Sequence, residues 1–355
     1  MENKQYLINA DIIRIMAIFG AIGIHIVFPF YGRWDYIGGK IWWISDIWNA
    51  FARTSIPLFI ILSGYFILNN QDSITRTWQR VIGRILIPLV FWSGLYLLWD
   101  GLYLKHGLNW QDFFLCIFRG GLFHYYFLGI IASLYILSPI LRFILNQAPI
   151  KLNNYLIVVS LAGSLLLNFY LYLTYKVFDG NIFLYWIMFV GYFLAGGLYR
   201  RSNLKVNPKS LSLVFIIYWI FTSLAGWINL NLIQYKTPIL FPAGSISPYF
   251  DHYVSPNIMI MSFCLFIFIM QANLGKIVNN RKLISLVKLL ASASFGMYLI
   301  HPFIMDFMYM KFFIVIESLP LLLILKIVTT YLFSFIITII LLKIPKLNAV
   351  LGIKN

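Results

Sequence analysis

Acidic residues are scarce in this 355-residue chain: 11 Asp and Glu stand against 27 Lys and Arg, and charged residues together make up only 11% of it. A soluble domain carries about a quarter charged residues, so an ordinary water-solvated surface is excluded. Cysteine is nearly absent. Cys116 and Cys264 supply neither a disulfide framework nor a metal-ligand spacing, so both read as apolar positions and no metal is expected. The chain also lacks a Walker loop, a GxGxxG element, a fixed-period repeat and a low-complexity tract. These absences argue against a nucleotide-binding domain or an ATP-driven pump. Apolar residues, by contrast, make up 61% of the sequence, and the mean hydropathy is +0.84.

Those apolar residues fall in long runs with no apolar–polar alternation, which in lipid means helices rather than a barrel. The expected fold is all-α: a polytopic membrane protein of about ten transmembrane helices, read as one membrane domain over residues 1–355 with no soluble extracytoplasmic domain. The spans fall roughly at 7–29, 50–69, 85–104, 122–145, 153–175, 182–199, 210–230, 254–272, 289–309 and 319–342. The first run is interrupted by Asp11 and Arg14 and has no small-residue cleavage site, so it reads as a retained helix and not a signal peptide.

A net charge of +16 would suit nucleic acid, yet its distribution points elsewhere. With the N-terminus in the cytoplasm, seventeen Lys and Arg fall on inner segments and helix ends and eight on outer segments and helix ends, with Arg14 and Lys326 left inside spans. The positive-inside rule therefore places both termini in the cytoplasm. No nucleic-acid partner is expected; membrane lipid is.

Chemistry begins in "DIIRIMAIFGAIGIHIVF", residues 11–28. His25 follows Arg14 by eleven residues, about 16 Å and close to three full turns, so the two share one helix face. Ionisable groups on one stripe of a span belong toward the bundle interior, although Asp11 is a local partner that would let Arg14 reach the surface. Histidine suits proton transfer from a hydroxyl, and arginine suits holding a phosphate or carboxylate.

In "FARTSIPLFIILSGYFIL", residues 51–68, Arg53 marks one end and Ser63–Gly64 a small pair, which packing alone would also explain. Arg76, Arg80 and Arg84 recur every four residues in "SITRTWQRVIGRILIP", residues 73–88. That spacing makes one basic stripe, suited to a phosphate-rich cytosolic ligand or to an interfacial helix. His124 opens the fourth span beside an aromatic run. Ser294, Tyr298 and His301 share a face in "SASFGMYLIHPFI", residues 292–304, with Pro302 expected to bend the helix at the histidine.

Together these segments resemble the acyltransferase 3 family of bacterial membrane O-acyltransferases. The resemblance rests on Arg14 and His25, "RTSIPLFIILSGYF", the arginine-rich stretch ending "RILIP", "HYYFLGIIASLYILSP" and "SFGMYLIHP", in that order over nearly the whole chain. It implies transfer of an acyl group, usually acetyl, from cytosolic acyl-CoA to a hydroxyl of a cell-surface or lipid-linked glycan, in the bacterial plasma membrane. It implies His25 as the catalytic histidine and Arg14 as an essential arginine. By the same resemblance Arg76, Arg80 and Arg84 are candidates for the phosphates of acetyl-CoA, while Arg53, Ser63, Gly64 and His301 fall in family motifs. His25 acts either as general base or through an acetyl-histidine intermediate. Completion of transfer falls to this chain or to a separate extracytoplasmic partner protein. The rival reading from another class is a transporter or flippase for a lipid-linked sugar or small anion.

Overall fold

The computed structural model describes residues 7–31, 36–104, 117, 125–174, 182–234, 249–274, 280–311, 320–345 and 347–352. Among these residues there is no strand. The helices are α1 (Ile8–Tyr31), α2 (Lys40–Ala52), α3 (Ser55–Ile67), α4 (Ile74–Val81), α5 (Ile87–Trp99), α6 (Tyr126–Gln147), α7 (Ile150–Leu173), α8 (Trp186–Tyr199), α9 (Pro208–Gln234), α10 (Pro256–Gln271), α11 (Arg281–Lys311), α12 (Pro320–Leu342) and a final turn α13 (Leu347–Val350). Nine helical stretches among the described residues are long and apolar enough to cross a membrane, and α8 is a shorter apolar helix of 14 residues. The chain is a multi-pass membrane protein.

Several spans begin earlier than the sequence expectation, the ninth at Arg281 among them, and two of these shifts shape the polar sites. The second span begins at Lys40, ten residues earlier than expected: α2 turns at Arg53–Thr54 and resumes as α3. Ser45, Asp46 and Asn49 had made residues 40–49 read as loop, yet all three are buried, because they lie on the face α2 turns inward. The third span begins at Ile74. The basic stretch is continuous with the span through a π-helical turn, Ile82–Leu86, rather than lying apart from it. Pro88 has no N–H to return to the carbonyl of Arg84, and a π turn is one way a helix absorbs such a defect. Ser73 starts α4 by accepting a hydrogen bond from the Arg76 backbone N–H at 3.3 Å.

The chain forms two compact units, residues 1–62 with 204–338 and residues 63–203 with 339–355. In the first, α1 packs against α2, α10 and α11, and α9 packs against α2 and α10. Close approach needs small residues. A Cβ on Gly20 would lie 2.2 Å from Ser55 Oγ, and one on Gly23 would lie 2.0 Å from the Trp48 indole nitrogen. Asn9 joins α1 to the end of α10, its side-chain amide donating to the carbonyls of Ile269 and Ala272 at 2.6 and 2.7 Å. On α12, Lys326, Thr330, Ser334 and Thr338 recur every four residues and are all buried, so this span turns a polar stripe inward.

In the second unit, α8 packs on α6 and α7, and α6 on α4. Arg201 binds the ends of two helices there, donating to the Leu145 carbonyl at 2.8 Å and the Leu68 carbonyl at 2.9 Å.

Candidate active site

His25 lies on α1, partly buried, with its ring 5.3 Å from the ring of His301 on α11, the planes tilted by 34°. His301 is fully buried, and its ring lies 5.9 Å from that of Tyr298. Its state follows from the neighbouring proline. In a helix the N–H of residue 302 would bond to the carbonyl of residue 298, and Pro302 has no N–H. That carbonyl is taken instead by His301 Nδ1, at 2.8 Å. A carbonyl only accepts, so Nδ1 carries a hydrogen, and in the neutral ring Nε2 carries the lone pair. Helix α11 runs through Pro302 as one element of 31 residues.

Arg53 stands at the turn between α2 and α3, its guanidinium 5.3 Å from the centre of the Tyr253 ring. Its charge is within interaction range of His25, His252, Asp251 and Tyr31. A cation beside a histidine in a low-dielectric interior is the arrangement that stabilises an oxygen developing negative charge.

Not every motif residue joins this cluster. Arg14 forms an ion pair with Asp11, one turn away on α1, and lies about 16 Å along the helix from His25, too far for contact. Ser294 spends its hydroxyl on the Ala291 carbonyl at 2.8 Å. Gly64 serves packing: a Cβ there would lie 1.9 Å from the Phe193 carbonyl oxygen. Ser63 beside it is partly buried. His124 lies outside the described residues.

The arginine row belongs to the second unit. Arg76 and Arg84 are exposed and Arg80 is partly buried. Asp72, which the sequence reading passed over, pairs with Arg80 and with Arg76 Nε, the latter at 3.3 Å. Arg142 donates to the Asp72 backbone carbonyl at 2.9 Å, and the charges of Arg84 and Arg142 both reach Arg80. Two guanidiniums therefore share the Asp72 carboxylate, a third binds its backbone carbonyl, and Arg84 lies within charge range of Arg80. Such a surface suits a polyanion, though two of the three arginines singled out from sequence already hold a partner.

Sequence reasoning also missed Tyr31, Asp46, Asn49 and Asp251, a buried polar group in the first unit. One signal for it was present: Trp42, Asp46, Asn49 and Arg53 repeat at i, i+4, i+7 and i+11, the period of a single helix face. Among the described residues no cluster of three or more metal-ligating side chains occurs.

These features define an integral-membrane helical protein whose interior gathers histidines, an arginine and carboxylates, groups that lipid admits only with a purpose. The family model described as an acyltransferase domain, that of acyltransferase 3, matches residues 7–342, and the chain belongs to this family. It is a multi-pass membrane acyltransferase. Comparison with curated proteins and with solved structures gave no match.

Proposed function

We propose that this membrane O-acyltransferase takes an acyl group, most simply acetyl, from cytosolic acyl-CoA and delivers it to a hydroxyl of a cell-surface or lipid-linked glycan in the bacterial plasma membrane. The observation that carries the reading is the His25–His301 pair: one partly accessible histidine packed against a buried histidine of fixed tautomer.

In this reading His25 is the general base. The acceptor hydroxyl loses its proton to His25 as its oxygen attacks the thioester carbonyl carbon. The carbon–sulfur bond then breaks, and the departing thiolate takes that proton back, giving the ester and free CoA. The Arg53 charge stabilises the intermediate oxyanion. His301 holds the His25 ring in orientation. Phosphates of the donor are assigned to the surface bearing Arg76, Arg80, Arg84 and Arg142. Arg14, fixed by Asp11, has a supporting part at its own end of α1.

The test is free CoA release from acetyl-CoA by the protein in lipid nanodiscs, with membrane glycolipid of the source cell as acceptor. His25→Ala is expected to abolish release while acetyl-CoA still binds, and Arg14→Ala to reduce it. Full turnover without His25 would remove it from the mechanism, and absence of acetyl-CoA binding by the unaltered protein would shift the reading to a transporter.

A further inference from the structure

The inward face of α2 carries Trp42, Asp46, Asn49 and Arg53 in one row about 16 Å long. Opposite it lie Tyr31 of α1, Ser223 and Gly226 of α9, and Asp251 in the short 3₁₀ turn that precedes α10. Tyr31 donates its hydroxyl hydrogen to Asp251 Oδ2, and Asn49 Nδ2 donates to the same oxygen at 3.2 Å. Ser223 donates to Asp46. Among the described residues these bonds leave Asp46 Oδ2, Asp251 Oδ1 and Asn49 Oδ1 without a partner, in residues that are at most 1% exposed.

Asn49 Oδ1 is an acceptor, and each carboxyl oxygen accepts when its group is ionised and can donate when it is protonated. A buried polar atom left unpaired is costly, so three together call for a ligand rich in hydroxyl groups, which both donate and accept. Two carboxyl groups buried within interaction range of each other, Asp46 and Asp251, disfavour an anion at the same place.

Flat apolar faces stand alongside. Trp42 stacks on Tyr31 with ring centres 5.9 Å apart, and Trp43 stacks on Trp227 at 6.0 Å. Trp227 is 38% exposed and follows Gly226, whose missing Cβ would lie 2.8 Å from Asp46 Oδ1 and 3.3 Å from the Tyr31 hydroxyl. Hydroxyl donors combined with an apolar ring face describe a pyranose. Finally, the row ends at Arg53, whose charge reaches His25.

We infer that Asp46, Asn49 and Asp251, walled by Trp43 and Trp227, form the acceptor subsite: they bind hydroxyls of a sugar so that another hydroxyl of the same sugar is presented to His25. This rests on the proposed acyl transfer to a glycan and names the residues that select the acceptor.

The experiment compares Asp46→Asn, Asp251→Asn and Asn49→Ala in nanodiscs, with the source cell's membrane glycolipid fraction as probe. Three quantities are read: the half-saturating glycolipid concentration for acetyl transfer, the acetyl-CoA Kd, and quenching of tryptophan fluorescence by the same fraction. Support is a rise of tenfold or more in half-saturating glycolipid for both Asp variants and a smaller rise for Asn49→Ala, with the acetyl-CoA Kd within twofold. Unchanged glycolipid saturation overturns the subsite. So does joint loss of transfer and acetyl-CoA binding in all three variants, which would make the cluster a scaffold. If the unaltered protein shows no acetyl transfer, the catalytic reading fails separately. In that case glycolipid quenching that disappears in the Asp variants still supports a sugar subsite, and quenching that persists in them overturns it.

Discussion

Proline in a helix usually means a lost hydrogen bond, and at residue 302 the loss is put to use. The Tyr298 carbonyl, deprived of a backbone donor, becomes the acceptor that fixes His301 beside His25. Pro302→Ala would return an N–H to that carbonyl and set it in competition with the His301 ring. Because proline costs about 3 kcal/mol against alanine inside a helix, the variant is expected to melt higher while its kcat falls about tenfold. Thermal unfolding and turnover in nanodiscs check this, and unaltered kcat would show that the His301 tautomer does not matter to the reaction. Gly64 gives a prediction of the opposite kind. An added methyl would meet the Phe193 carbonyl oxygen at 1.9 Å, and backbone cannot yield as a flexible side chain does. Gly64→Ala should cost roughly 2–3 kcal/mol and lower the melting temperature, with acetyl-CoA binding weakened only as far as folding is lost.

Two elements differ from simple membrane helices because each carries charge along one side. The first is the run from α4 through the π turn into α5, where Arg76 and Arg80 lean on Asp72 while Arg84 stays exposed. If this row holds donor phosphates, Arg84→Ala should raise the acetyl-CoA Kd about tenfold and flatten its dependence on salt. Asp72→Asn should do the reverse, since it frees two guanidiniums from an internal competitor. Calorimetric titration at two ionic strengths separates these outcomes, and equal Kd values for all three proteins would take the phosphates elsewhere. The second element is α2, whose inward row links the aromatic pair to Arg53. Its polar residues are the reason the sequence reads as a loop where the fold has a helix.

At the scale of the whole molecule, orientation is an electrostatic matter. Seventeen basic residues on one set of segments against eight on the other predict that both ends of the chain face the cytoplasm. In a background with Cys116 and Cys264 replaced, Lys205→Cys should resist a membrane-impermeant maleimide in intact cells, and Lys40→Cys should react. Labelling in the reverse pattern would invert the proposed direction of acyl delivery.

Amino-acid order alone determined the solvent, the number of apolar segments and the family, because hydropathy over some twenty residues and motifs such as Arg14 to His25 are local properties of the chain. It also marked His25, Arg53 and His301 as candidates, though not as neighbours. Tertiary structure decided what meets what. Residues 25 and 301 come together only because α1 packs on α11, and Asp251 completes the α2 row from two hundred residues away. Arg14 shares a helix face with His25, yet it stays one rigid helix length apart and pairs with Asp11. Such partnerships depend on packing between distant segments, which periodicity along a single helix does not encode.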